Sequence, residues 1–152
     1  FMKILKIQAL RGPNIWSVQR KKLIQMRLDL EEMEQFPTNK IEGFRERIEA
    51  MFPTMIEHRC SEGCRGGFFS RVERGTWMGH VIEHIALEIQ TLAGMETGFG
   101  RTRETKTPGV YNVVFSYTEE NVGLFAAESA VAIAESLIAG TEYDVEADIQ
   151  KM

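Results

Sequence analysis

A chain of 152 residues that is 43% hydrophobic and 26% charged has the composition of an ordinary globular domain, with enough apolar material for one core. Its formal net charge of −4 argues against non-specific nucleic-acid binding, so no nucleic-acid partner is expected. No apolar run approaches the ~20 residues of a membrane span, and Met2-Lys3-Ile4-Leu5 carries neither the h-region nor the cleavage site of a signal peptide. A cytoplasmic protein with no membrane partner is the expectation, and Phe1 ahead of Met2 reads as an expression scar.

In chain order, the loose alternation of Ile4, Leu5, Ile7, Ala9 and Leu10 predicts an opening strand over Lys3 to Leu10, turned by Arg11-Gly12-Pro13-Asn14. Leu23, Ile24, Met26, Leu28 and Leu30 predict a second strand over Leu23 to Leu30, although their propensities also allow a helix. A short helical turn follows over Glu31 to Gln35, and a helix from about Gly43 to Met51 points Phe44, Ile48, Met51 and Phe52 inward and ends at Pro53. Cys60 and Cys64, with His58 beside them, read mainly as reduced thiols and only weakly as a metal site, because no second cysteine pair exists. The glycine-rich run from Ser61 to Gly67 precedes Phe68-Phe69-Ser70-Arg71-Val72. It reads as a tight turn ahead of a helix, the alternative being an anion cradle of free backbone amides.

The most informative stretch is Met78-Gly79-His80-Val81-Ile82-Glu83-His84-Ile85-Ala86-Leu87-Glu88. Val81, Ile85, Ile89 and Leu92 set a helical apolar stripe, Thr76 reads as its N-cap, and Gly94 as its stop. On that helix His80 and His84 lie roughly 40° apart, with Glu83 about 60° to the other side of His80. One reading is His-x-x-Glu-His, in which His80 and His84 hold Zn²⁺ and Glu83 takes a proton from its water. The other is a solvated polar face formed by His80, Glu83, His84, Glu88, Gln90 and Thr91. Composition favours the first, since two of the three histidines in the chain fall on this face.

Beyond this helix, Arg101 and Arg103 alternate with Thr102 and Glu104 in an extended segment that places both guanidinium groups on one side. Pro108-Gly109 turns the chain, Val110 to Tyr117 is the clearest strand, and Glu119-Glu120 lead a long helix to about Ala139. Its buried stripe is Leu124, Ala127, Val131, Ala134, Leu137 and Ile138. The expected architecture is α+β: a largely antiparallel sheet with the His80 helix and the long C-terminal helix packed on it. This order lets the last helix return beside the His80 helix, so that Glu120 is the first choice for a third metal ligand and Glu128 and Glu88 are fallbacks. Glu88 is the weakest, lying ~12 Å along the axis from His80.

Together Lys3-Ile4-Leu5-Lys6, Leu10 to Ser17, Gln25 to Leu30, Arg65-Gly66-Gly67-Phe68, Gly79 to Glu88 and Gly98 to Thr105 resemble the N-terminal domain of cyanobacterial cyanophycin synthetases. The resemblance runs from Met2 to about Ala139. It implies a domain over residues 2–140 and a linker-like tail over 141–152 towards an ATP-grasp ligase domain and a Mur-ligase-like domain, neither of them in this chain. It further implies binding of cyanophycin, a poly-aspartate backbone with arginine on each side-chain carboxylate, and its cleavage into primers where the His-x-x-Glu-His set is kept. His80, Glu83 and His84 keep that set. Tyr117, Glu120 and Gly123 match a family pattern that favours Glu120 as third ligand, whereas Cys64 departs from the family before Arg-Gly-Gly-Phe. The full-length protein is expected to be a homo-oligomer. A polymer with guanidinium and carboxylate groups in equal number calls for a binding face of both signs, for which Arg65, Arg101, Arg103 and Glu104 are candidates. The alternative is a non-catalytic domain that tethers the polymer near the ligase sites.

Overall fold

The structure, a computed structural model, describes residues 1–19, 22–59 and 63–152. Four strands, β1 (Lys3–Leu10), β2 (Leu23–Asp29), β3 (Gly100–Glu104) and β4 (Val110–Ser116), form one antiparallel sheet in the order β1-β2-β4-β3. The ambiguous second segment is a strand because its alternation matches a pleat with one buried face. Ile24, Met26 and Leu28 are fully buried, while Arg27 between them is exposed. On the outer face a polar ladder crosses three strands: Gln8 Nε2 donates to Gln25 Oε1 at 2.8 Å, and Gln25 Nε2 to Asn112 Oδ1 at 3.2 Å.

Helices α1 (Phe44–Met51), α2 (Gly67–Arg74), α3 (Met78–Leu92) and α4 (Glu120–Ala139) accompany this sheet, and α3 and α4 supply the core above Met26, Leu28, Val113 and Phe115. The α+β architecture expected from the sequence is the one observed. Phe44 and Ile48 of α1 point inward as predicted, and Phe52 closes that side at the helix end. Met51 is only partly buried.

Helix α4 has the length and apolar composition of a membrane span, contrary to the expectation from the sequence; 61% of its most apolar window is buried in this domain. Its first turn packs closely because residue 123 is glycine: a methyl there would come within 2.7 Å of Tyr117 Cβ and 2.9 Å of Ile24 Cγ1. The acidic tail forms α5 (Val145–Lys151), capped by Asp144, whose Oδ1 accepts from Ala147 N at 3.1 Å. Rather than trailing away, α5 is tied to α4. Asp148 is buried, accepts a short hydrogen bond from Ser129 Oγ, and accepts another from Tyr143 Oη at 2.5 Å.

Candidate functional site

Helix α3 is buried nearly all round. Its apolar stripe faces the core, and on the other side Glu83, His84, Glu88 and Gln90 are also buried, which removes the reading of a solvated polar face. That side is covered by α2, by the 3-10 turn Pro53–Glu57 with His58, and by β3 at the sheet edge. Phe68 of α2 forms one wall, its ring centroid 4.5 Å from that of His84 and 5.8 Å from that of His80. Of the glycine run before it, residues 61 and 62 lie outside the described residues, and Gly63 to Gly67 form a tight turn. The amides of Gly66, Gly67 and Phe68 donate to the carbonyls of Ile56, Cys64 and His58, so that they offer no cradle to an anion.

The two imidazoles meet edge to face, centroids 4.7 Å apart with the planes at 90°. Burial, assisted by Arg71, lowers His80 to about 4, and burial with the neighbouring His80 and His58 lowers His84 well below the ordinary histidine value. Both rings are therefore neutral at pH 7, the form that ligates a metal. Glu83 is pushed up to about 7 by burial, against the opposing effects of a Thr102 hydrogen bond and the Arg101 charge. Thr102 Oγ1 donates to Glu83 Oε1 at 2.7 Å, while Glu83 Oε2 lies 3.8 Å from His84 Nε2. Gly100 makes room for this carboxyl: a methyl at residue 100 would overlap its oxygen and come within 2.8 Å of Cγ.

Thr76 does not cap α3. Trp77 occupies that position without a side-chain cap, and the Thr76 hydroxyl instead lies 3.1 Å from His80 Nδ1. His58, read from sequence only with the cysteines, reaches His84: their Nδ1 atoms are 2.8 Å apart, and His58 Nε2 is 3.0 Å from Glu88 Oε1. Glu88 also accepts a short hydrogen bond from Thr54. Cys60 lies outside the described residues, and Cys64 is exposed.

Glu120 is not brought to the histidines. Its two oxygens accept from Arg11 at 2.6 and 2.7 Å, and it lines a separate pocket with Arg11, Lys22, Tyr117 and Thr118. The topology explains the separation: β3, which flanks Glu83, and β1, which leads into Arg11, are opposite edges of the sheet. Among the described residues no three His, Cys, Asp or Glu side chains are grouped as a ready-made metal site. The donor set nonetheless suits a divalent cation in part, with two neutral imidazoles beside a buried carboxyl that titrates near neutrality.

The cleft over these groups has a volume of about 780 Å³ and is lined by side chains of both signs, including Glu57, Arg59, Arg71, Arg101 and Glu104. Of the four predicted substrate residues, Arg101 and Glu104 line it. Arg65 is exposed and pairs with Glu57 at 2.8 Å, so it reaches the rim through a residue that does line it. Arg103 is exposed and lies outside the lining. On β3 it is Gly100 and Thr102 that meet Glu83 of α3, a pair that the sequence reading did not single out. Trp77, 41% exposed, stands in the cleft wall with its indole Nε1 donating to Glu34 O at 2.9 Å.

Fold and cleft together define an α+β domain that gathers two imidazoles and a buried carboxyl at the base of a wide cleft of mixed charge. The chain belongs to the cyanophycin synthase-like N-terminal domain family, whose model matches residues 25–139. It is 57% identical over 145 residues to the cyanophycin synthetase of Geminocystis herdmanii, covering 95% of this chain and 17% of that protein. Identity to the cyanophycin synthetase of Synechocystis sp. is 53% over 154 residues, 99% of this chain and 18% of the relative. For that of Crocosphaera subtropica it is 56% over 137 residues, 90% and 16% respectively. The chain thus spans less than one fifth of the length of these relatives.

Proposed function

We propose that this domain binds cyanophycin in the cleft over α3 and hydrolyses its backbone in a metal-dependent reaction, supplying short chains as primers. In the longer cytoplasmic, oligomeric protein to which it would belong, ATP-grasp and Mur-ligase-like domains would extend those primers. The observation that carries the reading is the convergence of His80, Glu83 and His84 at the base of one cleft, both imidazoles neutral and the carboxyl titrating near 7.

His80 and His84 are the residues that would hold the ion. Zn²⁺, when bound, supplies Lewis acidity and lowers the pKa of its water towards ~7. Glu83 sits beside His84 and, once ionised, accepts the proton from the attacking water. It then returns the proton to the leaving amine, a dual role that suits a group titrating near the working pH. Thr102 holds Oε1, which leaves Oε2 as the proton-carrying oxygen. Arg59, Arg71 and Arg101 offer partners to the polymer's carboxylates, and Glu57 and Glu104 offer partners to its guanidinium groups. The mixed lining equally supports a tethering domain that binds the polymer without cutting it.

Glu83→Gln separates the two readings. The variant should retain bound metal and polymer while hydrolysis falls to background, because an amide cannot take the proton. Hydrolysis at the parental rate would reject the assignment of the base, and binding without hydrolysis in the parental domain would leave tethering as the function.

A further inference from the structure

One corner of the cleft takes no part in the proposed hydrolysis. Trp77, at the start of α3, is 41% exposed in the cleft wall, and its indole Nε1 donates to Glu34 O at 2.9 Å. The carboxylate of the same Glu34 accepts from Tyr111 Oη at 3.2 Å, so one residue ties both aromatic side chains together. Tyr111 also lines the cleft, and in the sheet it stands directly opposite Glu104, which shares its face and the lining. The Glu104 carboxylate makes no hydrogen bond or ion pair among the described residues. We propose that Trp77, Tyr111, Glu34 and Glu104 form a subsite for a guanidinium group, which selects arginine over lysine side chains in the substrate.

The indole nitrogen is already committed to a carbonyl, which leaves the ring faces as what Trp77 presents to a ligand. The negative face of an aromatic ring attracts a cation and repels a carboxylate. Tyr111 commits its own proton to Glu34, and burial with the charges of Glu34 and Glu104 pushes that hydroxyl up to about 12, so two carboxylates bear on the same point. The start of α3 carries a partial positive charge, which these two full charges oppose. A guanidinium is flat enough to lie on an indole while its edge N–H groups meet a carboxylate. An ammonium is compact and strongly hydrated, and gains less from a ring face. Glu104 lies two residues along β3 from Thr102, which holds Glu83, or ~7 Å away. A guanidinium bound there belongs to a side chain close to the bond being cut. That placement on the polymer rests on the function proposed above, whereas the affinity for the guanidinium group does not.

The test follows the Trp77 indole ¹⁵N–¹H signal, in a Trp16→Phe background that leaves one indole, as the metal-free domain is titrated at pH 7 with acetyl-arginine amide or acetyl-lysine amide. The arginine amide should shift the signal and bind more tightly than the lysine amide. Glu104→Gln should weaken the arginine amide about 3–30-fold, and Trp77→Leu, read from the backbone amide signals of Glu34 and Tyr111, by a similar factor. Both replaced side chains are exposed, so neither substitution touches the core. No shift with the arginine amide, equal affinity for the two amides, or full affinity in both variants would overturn the proposal. An arginine amide bound as predicted but not displaced by cyanophycin would uphold the guanidinium subsite and remove the polymer from the cleft.

Discussion

Replacing Glu83 by glutamine should stabilise the metal-free domain even as it removes the base. Glu83 is 6% exposed and titrates near 7, against 4.5 for a free side chain. Because the folded value is raised, its contribution is fully present below 4.5 and is lost as pH rises through about 7. Above that pH the ionised carboxylate costs the folded state about 3 kcal/mol, at ~1.4 kcal/mol per factor of ten in the equilibrium. Glutamine has the same shape, keeps an oxygen for Thr102 Oγ1, and carries no charge at any pH. The variant should therefore gain about 3 kcal/mol at pH 8, roughly 6–12 °C in melting temperature for a domain of this size, with the gain shrinking below about 1 kcal/mol near pH 5. Urea unfolding in the presence of a chelator, at both pH values, measures the difference directly. A variant no more stable than its parent at pH 8, or a gain that does not diminish towards pH 5, would refute the claim that burial holds this carboxyl out of its ordinary range.

Gly100→Ala should displace the Glu83 carboxyl and cost about 1–3 kcal/mol of stability, with hydrolysis falling on the order of 10²-fold; steady-state kinetics beside thermal melts will show whether both fall together. Glu120→Gln should leave Zn²⁺ affinity unchanged in calorimetry, since its partner is Arg11 rather than the histidines. In a Trp16→Phe background, the fluorescence of Trp77 should change as cyanophycin fills the cleft, and Trp77→Ala should weaken binding. Tyr143→Phe should destabilise the domain by about 1–2 kcal/mol in urea unfolding, because buried Asp148 loses a donor.

The strands and α3 were legible because each carries one clear period. Ile24, Met26 and Leu28 alternate, and Val81, Ile85 and Ile89 recur at helical spacing, so their faces follow from the sequence. The surroundings of α3 were not legible in the same way. Nothing local to Glu88 or Gln90 distinguishes a polar residue bound for solvent from one that folds under a distant turn. Thr54, which meets Glu88, is 34 residues away. His58 was passed over for the same reason, as its partner His84 lies 26 residues further on. Thr76 stood where an N-cap belongs, and its hydroxyl was drawn instead to His80.

Glu120 shows the limit of topological reasoning. The order helix, hairpin, helix does return α4 beside α3, but it does not fix which sheet edge receives the start of α4. In the structure the start of α4 lies beside the residue that follows β1, where Arg11 donates two hydrogen bonds to Glu120. Gly123, in the same Tyr-x-x-Glu-x-x-Gly pattern, has a packing role against Tyr117 and Ile24 that accounts for a glycine there without reference to a metal.

The most direct measurement is the chain length of cyanophycin incubated with the purified domain and Zn²⁺, beside a chelator-treated sample and His80→Ala. Shortening of the polymer that disappears both on chelation and in His80→Ala is the predicted result. Polymer that binds and stays intact with every divalent metal supplied would contradict hydrolysis and leave the cleft over α3 as a tethering site.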